Sequence, residues 1–169
     1  MFNAPIGSLP VGDPPHAPLK DFTTDHVEGR AGFQAEWILP RQQRTPSQAR
    51  EQTRRALVAW GDVSEDAADA AELIVSELVT NAVVHTRSPS VQVQLRLDAE
   101  SIFVMVRDQG SAPMEPLNIS TSGSAQSEDG RGLFLIDQTA TSWGSRRLNT
   151  GTLVWARLDR SLSLQGMAA

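Results

Sequence analysis

The run Glu77-Leu78-Val79-Thr80-Asn81-Ala82-Val83-Val84-His85 decides how this chain is read. Glu77, Asn81 and His85 fall at i, i+4 and i+8. On an α-helix each step of four residues advances about 40°, so the three side chains form one polar stripe. The positions around them are apolar, from Leu73, Ile74 and Val75 to Ala82, Val83 and Val84. A buried polar stripe costs free energy unless something satisfies it. An Asn carbonyl is a hard oxygen donor suited to Mg²⁺, which keeps several waters and takes substrate phosphates as further ligands. A Glu one turn away can polarise a hydroxyl or a water. Taken alone, the stripe is read more simply as the solvent face of an amphipathic helix.

Two later stretches change that balance. Asp108-Gln109-Gly110 follows an apolar run, Ile102 to Val106. The Asp carboxylate can accept a hydrogen bond from an exocyclic amine such as that of adenine, and Gly110 lets backbone approach the base. Asp-x-Gly by itself is a common turn. Asp129-Gly130-Arg131-Gly132-Leu133 comes next. Backbone N–H groups at such glycines reach phosphate oxygens, a helix N-terminus adds a favourable dipole, and Arg131 adds charge. By itself Gly-x-Gly is more often a tight loop-to-helix turn. A dinucleotide-binding reading is poor, because no strand precedes these glycines. Taken in order, the three stretches suggest a magnesium–nucleotide site.

The rest of the chain places these stretches. Residues 1–32 carry five prolines and no period, and read as a flexible arm. Residues 35–39 suit a strand stopped by Pro40. Thr45 as cap, Pro46 at the first helical position and Gln48 as partner of a capping box start a helix that Gly61 ends. Ser64 caps the next helix, with Glu65 and Asp66 in its first turn, and it runs to about His85. Residues 91–97 alternate strictly, so one face is buried and Gln92, Gln94 and Arg96 face water. Residues 102–106 are continuously apolar and suit a central strand. Residues 111–128 read as a lid or a disordered loop. A short helix over 132–139 follows, then strands at about 142–147 and 153–158 around the turn Asn149-Thr150-Gly151. This order predicts an α+β fold, a two-layer sandwich of a mixed, mainly antiparallel sheet with the helices on one face.

Composition narrows the chemistry. The chain has 169 residues and a net charge of −5. It therefore has no basic field to recommend nucleic acid or an anionic membrane as partner. No apolar run approaches the roughly 20 residues of a membrane-spanning helix, and residues 1–15 lack the features of a signal peptide. The expected location is cytoplasmic. Without cysteines there are no disulfides, thiolate metal sites or cysteine nucleophiles. The single lysine, Lys20, lies outside any Gly-x-x-x-x-Gly-Lys loop. That excludes a Walker-type NTPase and argues against a eukaryotic-type kinase fold.

Glu77-x-x-x-Asn81, Asp108-x-Gly110 and Gly130-x-Gly132-Leu133 resemble, in this order, the N, G1 and G2 boxes of the histidine-kinase-like ATPases, the Bergerat fold shared with gyrase, heat-shock protein 90 and MutL. Within that group the chain is most similar to the bacterial anti-sigma factor serine/threonine kinases and their actinobacterial relatives, over about residues 33–160. The resemblance implies ATP and Mg²⁺ as cofactors. It implies that Asn81 binds Mg²⁺, that Glu77 is the catalytic base toward a serine hydroxyl, and that Asp108 reads the adenine amine. It gives Gly110, Gly130, Arg131, Gly132 and Leu133 nucleotide contacts, Thr152 a place near the adenine, residues 111–129 the role of ATP lid, and His85 a supporting role near the phosphates. It implies a sigma factor and an anti-anti-sigma protein as partners, and a homodimer. One departure stands at Ala112, where many members have a second glycine, which bears on the lid more than on adenine. No phosphoacceptor helix pair precedes the domain, which argues against a sensor kinase. A regulatory module that binds ATP without transferring phosphate is the alternative, and an interaction domain without nucleotide the plainest one.

Overall fold

The computed structural model of the protein describes residues 32–110 and 128–163. The expected arm up to residue 31, the expected lid over 111–127 and the last residues from 164 lie outside this set. The described elements are β1 (Phe33–Pro40), α1 (Thr45–Trp60), α2 (Glu65–His85), β2 (Ser90–Leu97), β3 (Ser101–Asp108), α3 (Glu128–Thr139), β4 (Ser142–Leu148) and β5 (Gly151–Asp159). The five strands make one sheet in the order β1-β2-β3-β5-β4, and every pairing is antiparallel. The fold is the expected two-layer α+β sandwich.

The inner sheet face follows from alternation. Val91, Val93, Leu95 and Leu97 on β2 stand beside Asp108, Val106, Val104 and Ile102 on β3. Val154, Ala156 and Leu158 continue the rows on β5. These rows pack with Ala67, Ala71, Ile74, Val75, Leu78 and Val79 of α2 in one core. Each fully buried Leu, Ile or Val contributes about 1.5–3 kcal/mol. Ser101 to Val106 are all buried, as the central position of β3 requires.

The helix ends are set by short polar contacts. Ser64 Oγ accepts the Ala67 N–H at 3.1 Å and donates to the Leu162 carbonyl at 2.7 Å, so the start of α2 is capped and tied to the chain after β5. At the other end the Thr86 hydroxyl donates to the Ala82 carbonyl at 2.7 Å and Arg41 Nε donates to the Val83 carbonyl at 2.8 Å. A cation there also suits the helix dipole. Among the described residues no helix is long and apolar enough to cross a membrane.

Four expectations are corrected. Thr45 does not cap α1. It is the first helical residue, Arg44 takes the N-cap position without a side-chain capping bond, and the Thr45 hydroxyl instead donates to the Pro40 carbonyl and accepts the Gln42 N–H. The Gln48 amide oxygen is buried without a partner, so the capping box is not made. Next, α3 begins at Glu128, four residues early, so Gly130 and Gly132 lie inside the helix and do not precede it. Gly151 and Thr152 belong to β5, which leaves a two-residue turn. Lastly, the outer sheet face is not simply wet. Phe103, Met105, Leu153 and Trp155 form a second buried cluster there, with no helix residue in it. Arg96 lies 4.3 Å from the Phe103 ring centroid, a cation–π contact. Burial lowers the pKa of this guanidinium, and Asp98 opposes the shift.

Candidate functional site

The C-terminal half of α2 crosses the end of β3, and a pocket opens between them. Leu78, Asn81, Ala82, His85, Thr86, Val106, Asp108 and Val154 line it. Asn81 and His85 come from the helix layer and Asp108 from the sheet. In the protein alone the pocket holds about 20 Å³, room for about one water.

Asp108 ends an inner-face row, opposite Val91 and two residues beyond Val106. It is 5% exposed. Its Oδ1 accepts the Gly110 N–H at 2.9 Å, a turn that fixes the carboxylate and leaves its other oxygen for a further donor. Gly110 is wedged in place: a Cβ there would come within 3.2 Å of both Asp108 Oδ1 and Thr86 Cβ. Ser88 Oγ accepts the Gln109 N–H at 2.9 Å, and the Ser88 N–H bonds Thr86 Oγ1 at 3.3 Å. The chain leaving α2 is thereby fastened to the chain leaving β3, which holds Asn81 and Asp108 at a set separation. Thr152 lies one register step beyond the Arg107–Leu153 pair, level with Asp108, and is buried.

The Asn81 side-chain nitrogen is buried and has no hydrogen-bond partner. Such an atom costs about 1–3 kcal/mol and calls for an explanation. A ligand that completes the site provides one. Among the described residues no group of three His, Cys, Asp or Glu side chains can hold a metal ion. A Mg²⁺ here would take the Asn81 oxygen as its one ligand from this pocket and draw the rest from phosphates and water, which is the ordinary habit of that ion. The residues present therefore fit Mg²⁺ brought in with a nucleotide.

Glu77 points elsewhere. Its carboxylate lies against α3 at Gly132, one turn from Asn81 along α2. Leu133 is 2% exposed and part of the main core, which gives it a packing role. Gly130 lies in the first turn of α3, and the side chain of Arg131 is outside the described set. The structure thus brings Asn81, His85 and Asp108 to one pocket, fastens Gly110 to Asp108, sets Thr152 level with Asp108, and places Glu77 against Gly132 of α3.

Three contributors escape a sequence reading. Thr86 and Ser88 act through hydrogen bonds that depend on where two loops meet, and their spacing carries no mark of it. Gly151 stands out as a turn glycine, but its closeness to Asp108 is a tertiary fact.

Residues 42–158 match the protein-family model described as histidine kinase-like ATPase domain. No curated protein sequence matches the chain.

Proposed function

The chain belongs to the histidine kinase-like ATPase family, and on that premise we propose that it is a Mg²⁺-dependent serine protein kinase acting as an anti-sigma factor. In this reading it works in the cytoplasm, as a homodimer. It sequesters a sigma factor and phosphorylates an anti-anti-sigma antagonist. The observation that carries the nucleotide part is the single pocket shared by Asn81 and Asp108, with an unpartnered amide nitrogen on Asn81. The kinase and partner parts rest on the resemblance of residues 77–85 and 130–136 to the anti-sigma factor kinases.

The residues divide the work. Leu78, Ala82, Val106 and Val154 give the adenine apolar walls. The Asp108 oxygen not held by Gly110 accepts the exocyclic amine, so an adenine is preferred to a base with a carbonyl there. Bound Mg²⁺ would neutralise phosphate charge. Asn81 fixes where the phosphates lie. Glu77 takes the proton of the serine hydroxyl as the bond from its oxygen to the γ-phosphorus forms. The bond from that phosphorus to the ADP oxygen breaks, and the electron pair leaves with ADP. Catalysis of this kind rests on positioning and charge neutralisation.

Glu77→Ala separates this reading from a non-catalytic switch. With γ-labelled ATP and an extract of the native cells, the wild type should label a protein on serine. The variant should bind ATP within about threefold of wild type and lose at least about a hundredfold in transfer, the range expected for a general base. Labelling that survives Glu77→Ala would remove Glu77 from the chemistry. A wild type that binds ATP but transfers nothing would favour the switch.

A further inference from the structure

Gly132 sits in the interior of α3, where glycine is a poorer helix former than alanine. A helix keeps such a residue against its own preference when a side chain has no room. Here the obstacle is identified. A Cβ on Gly132 would overlap Glu77 Oε2 outright and would stand 3.2 Å from Glu77 Cδ and 3.5 Å from Glu77 Cβ. The carboxylate of Glu77 occupies the space that any other residue at position 132 would fill. Helix α3 itself cannot step aside cheaply, so the Glu77 carboxylate, the far end of a flexible side chain, is what would move. Leu133 and Ile136 anchor α3 in the core at 2% and 0% exposure, and Trp143 Nε1 donates to Asp137 Oδ1 at 3.0 Å.

We infer that Gly132 is a positioning residue for Glu77, its bare backbone forming the seat against which the carboxylate is held. A glycine expected from sequence to approach phosphate serves instead to aim the candidate base. This inference rests on the reading of Glu77 as base for its catalytic meaning, but the seat itself is a property of the nucleotide-free protein and is tested there.

The test is a thermal-denaturation cycle on the full chain without nucleotide, using Gly132→Ala, Glu77→Ala and the double variant. In the Glu77→Ala background Gly132→Ala should raise Tm by about 3 °C or more, because the obstacle has gone and the better helix former remains, and in the wild-type background the gain should be smaller, because the carboxylate must first be displaced. That difference between the two backgrounds is the expected result. Equal shifts in both backgrounds would overturn the inference. A second measurement reads the positioning role. Gly132→Ala should leave the ATP dissociation constant within about threefold while lowering turnover by more than about tenfold, and adding the shorter Glu77→Asp should restore part of the Tm gain. An ATP affinity that falls as far as turnover would make Gly132 a nucleotide contact and overturn the positioning role. If the wild type turns over no ATP, the kinase reading fails while the Tm cycle still decides whether the seat exists.

Discussion

At Gly151 the chain has φ 126°, and a Cβ there would lie 2.7 Å from the Asp108 carbonyl carbon, 3.0 Å from Gln109 Cα, and closer still to the Asp108 carbonyl oxygen. The turn between β4 and β5 is therefore packed under the backbone of the residue that would read adenine. Gly61 is the contrast. It also has positive φ, 69°, but nothing stands within 4 Å of its would-be Cβ. Left-handed backbone costs a non-glycine residue about 1–2 kcal/mol, whereas a clash with a buried main chain adds a displacement that cannot relax. With ψ at −177° Gly61 lies in a region essentially reserved for glycine, so Gly61→Ala should cost about 1–3 kcal/mol in urea denaturation and leave ligand binding alone. Gly151→Ala should cost at least about 3 kcal/mol, or prevent folding, and any folded fraction should bind ATP poorly. Equal costs at the two glycines would contradict the close approach of Gly151 to Asp108.

Between α1 and α2 the packing is polar as well as apolar. Arg54 pairs with Glu65 at 3.0 Å, with Asp69 at 2.5 Å and with Glu72. Glu72 is the most enclosed of the three acids, with its side chain 17% exposed. Burial pushes its carboxyl above the ordinary 4.5, more than Arg54 draws it down. The sign for stability follows. With a raised folded pKa the native state holds a proton that the unfolded chain has released, so this contribution is present below the ordinary carboxylate value and is lost as pH rises through the folded value. Glu72→Gln should flatten the stability profile upward of pH 4.5 and should not destabilise the protein at pH 7. Arg54→Ala should lower stability at pH 7 by about 1–2 kcal/mol, because it leaves an enclosed carboxylate unpaired. Denaturation at a series of pH values checks both. A Glu72→Gln loss at pH 7 as large as that of Arg54→Ala would mean that the ion pair, not the burial, dominates.

Across the whole molecule, what was legible in the sequence is what local pattern governs. The alternation of Val91 to Leu97, the apolar run Ile102 to Val106 and the Ser64 cap of α2 all specify their own conformation, and the sheet layers follow from them. Asn81 and Asp108 stood out because a helical stripe and a strand-end Asp-x-Gly are each recognisable in sequence, and the family match covers both. What stayed hidden depends on distant neighbours. Thr45 looks like a cap until the Pro40 carbonyl is beside it. The glycines of 130–132 look like a loop until Leu133 and Ile136 draw the segment into a helix against the core. The buried outer-face cluster around Phe103 was masked because Gln92, Gln94 and Arg96 on the neighbouring strand are polar.

The central claim is that Asn81 and Asp108 together make a Mg²⁺-dependent ATP site. Isothermal calorimetry of ATP with and without Mg²⁺ tests it most directly, on the wild type, Asn81→Ala and Asp108→Asn. The account predicts binding that strengthens with Mg²⁺ in the wild type and loses that dependence in Asn81→Ala. In Asp108→Asn, affinity should fall at least about tenfold, as expected when a buried acceptor becomes a donor facing the adenine amine. ATP binding that is indifferent to Mg²⁺ and unchanged in both variants would place the nucleotide elsewhere and contradict the account.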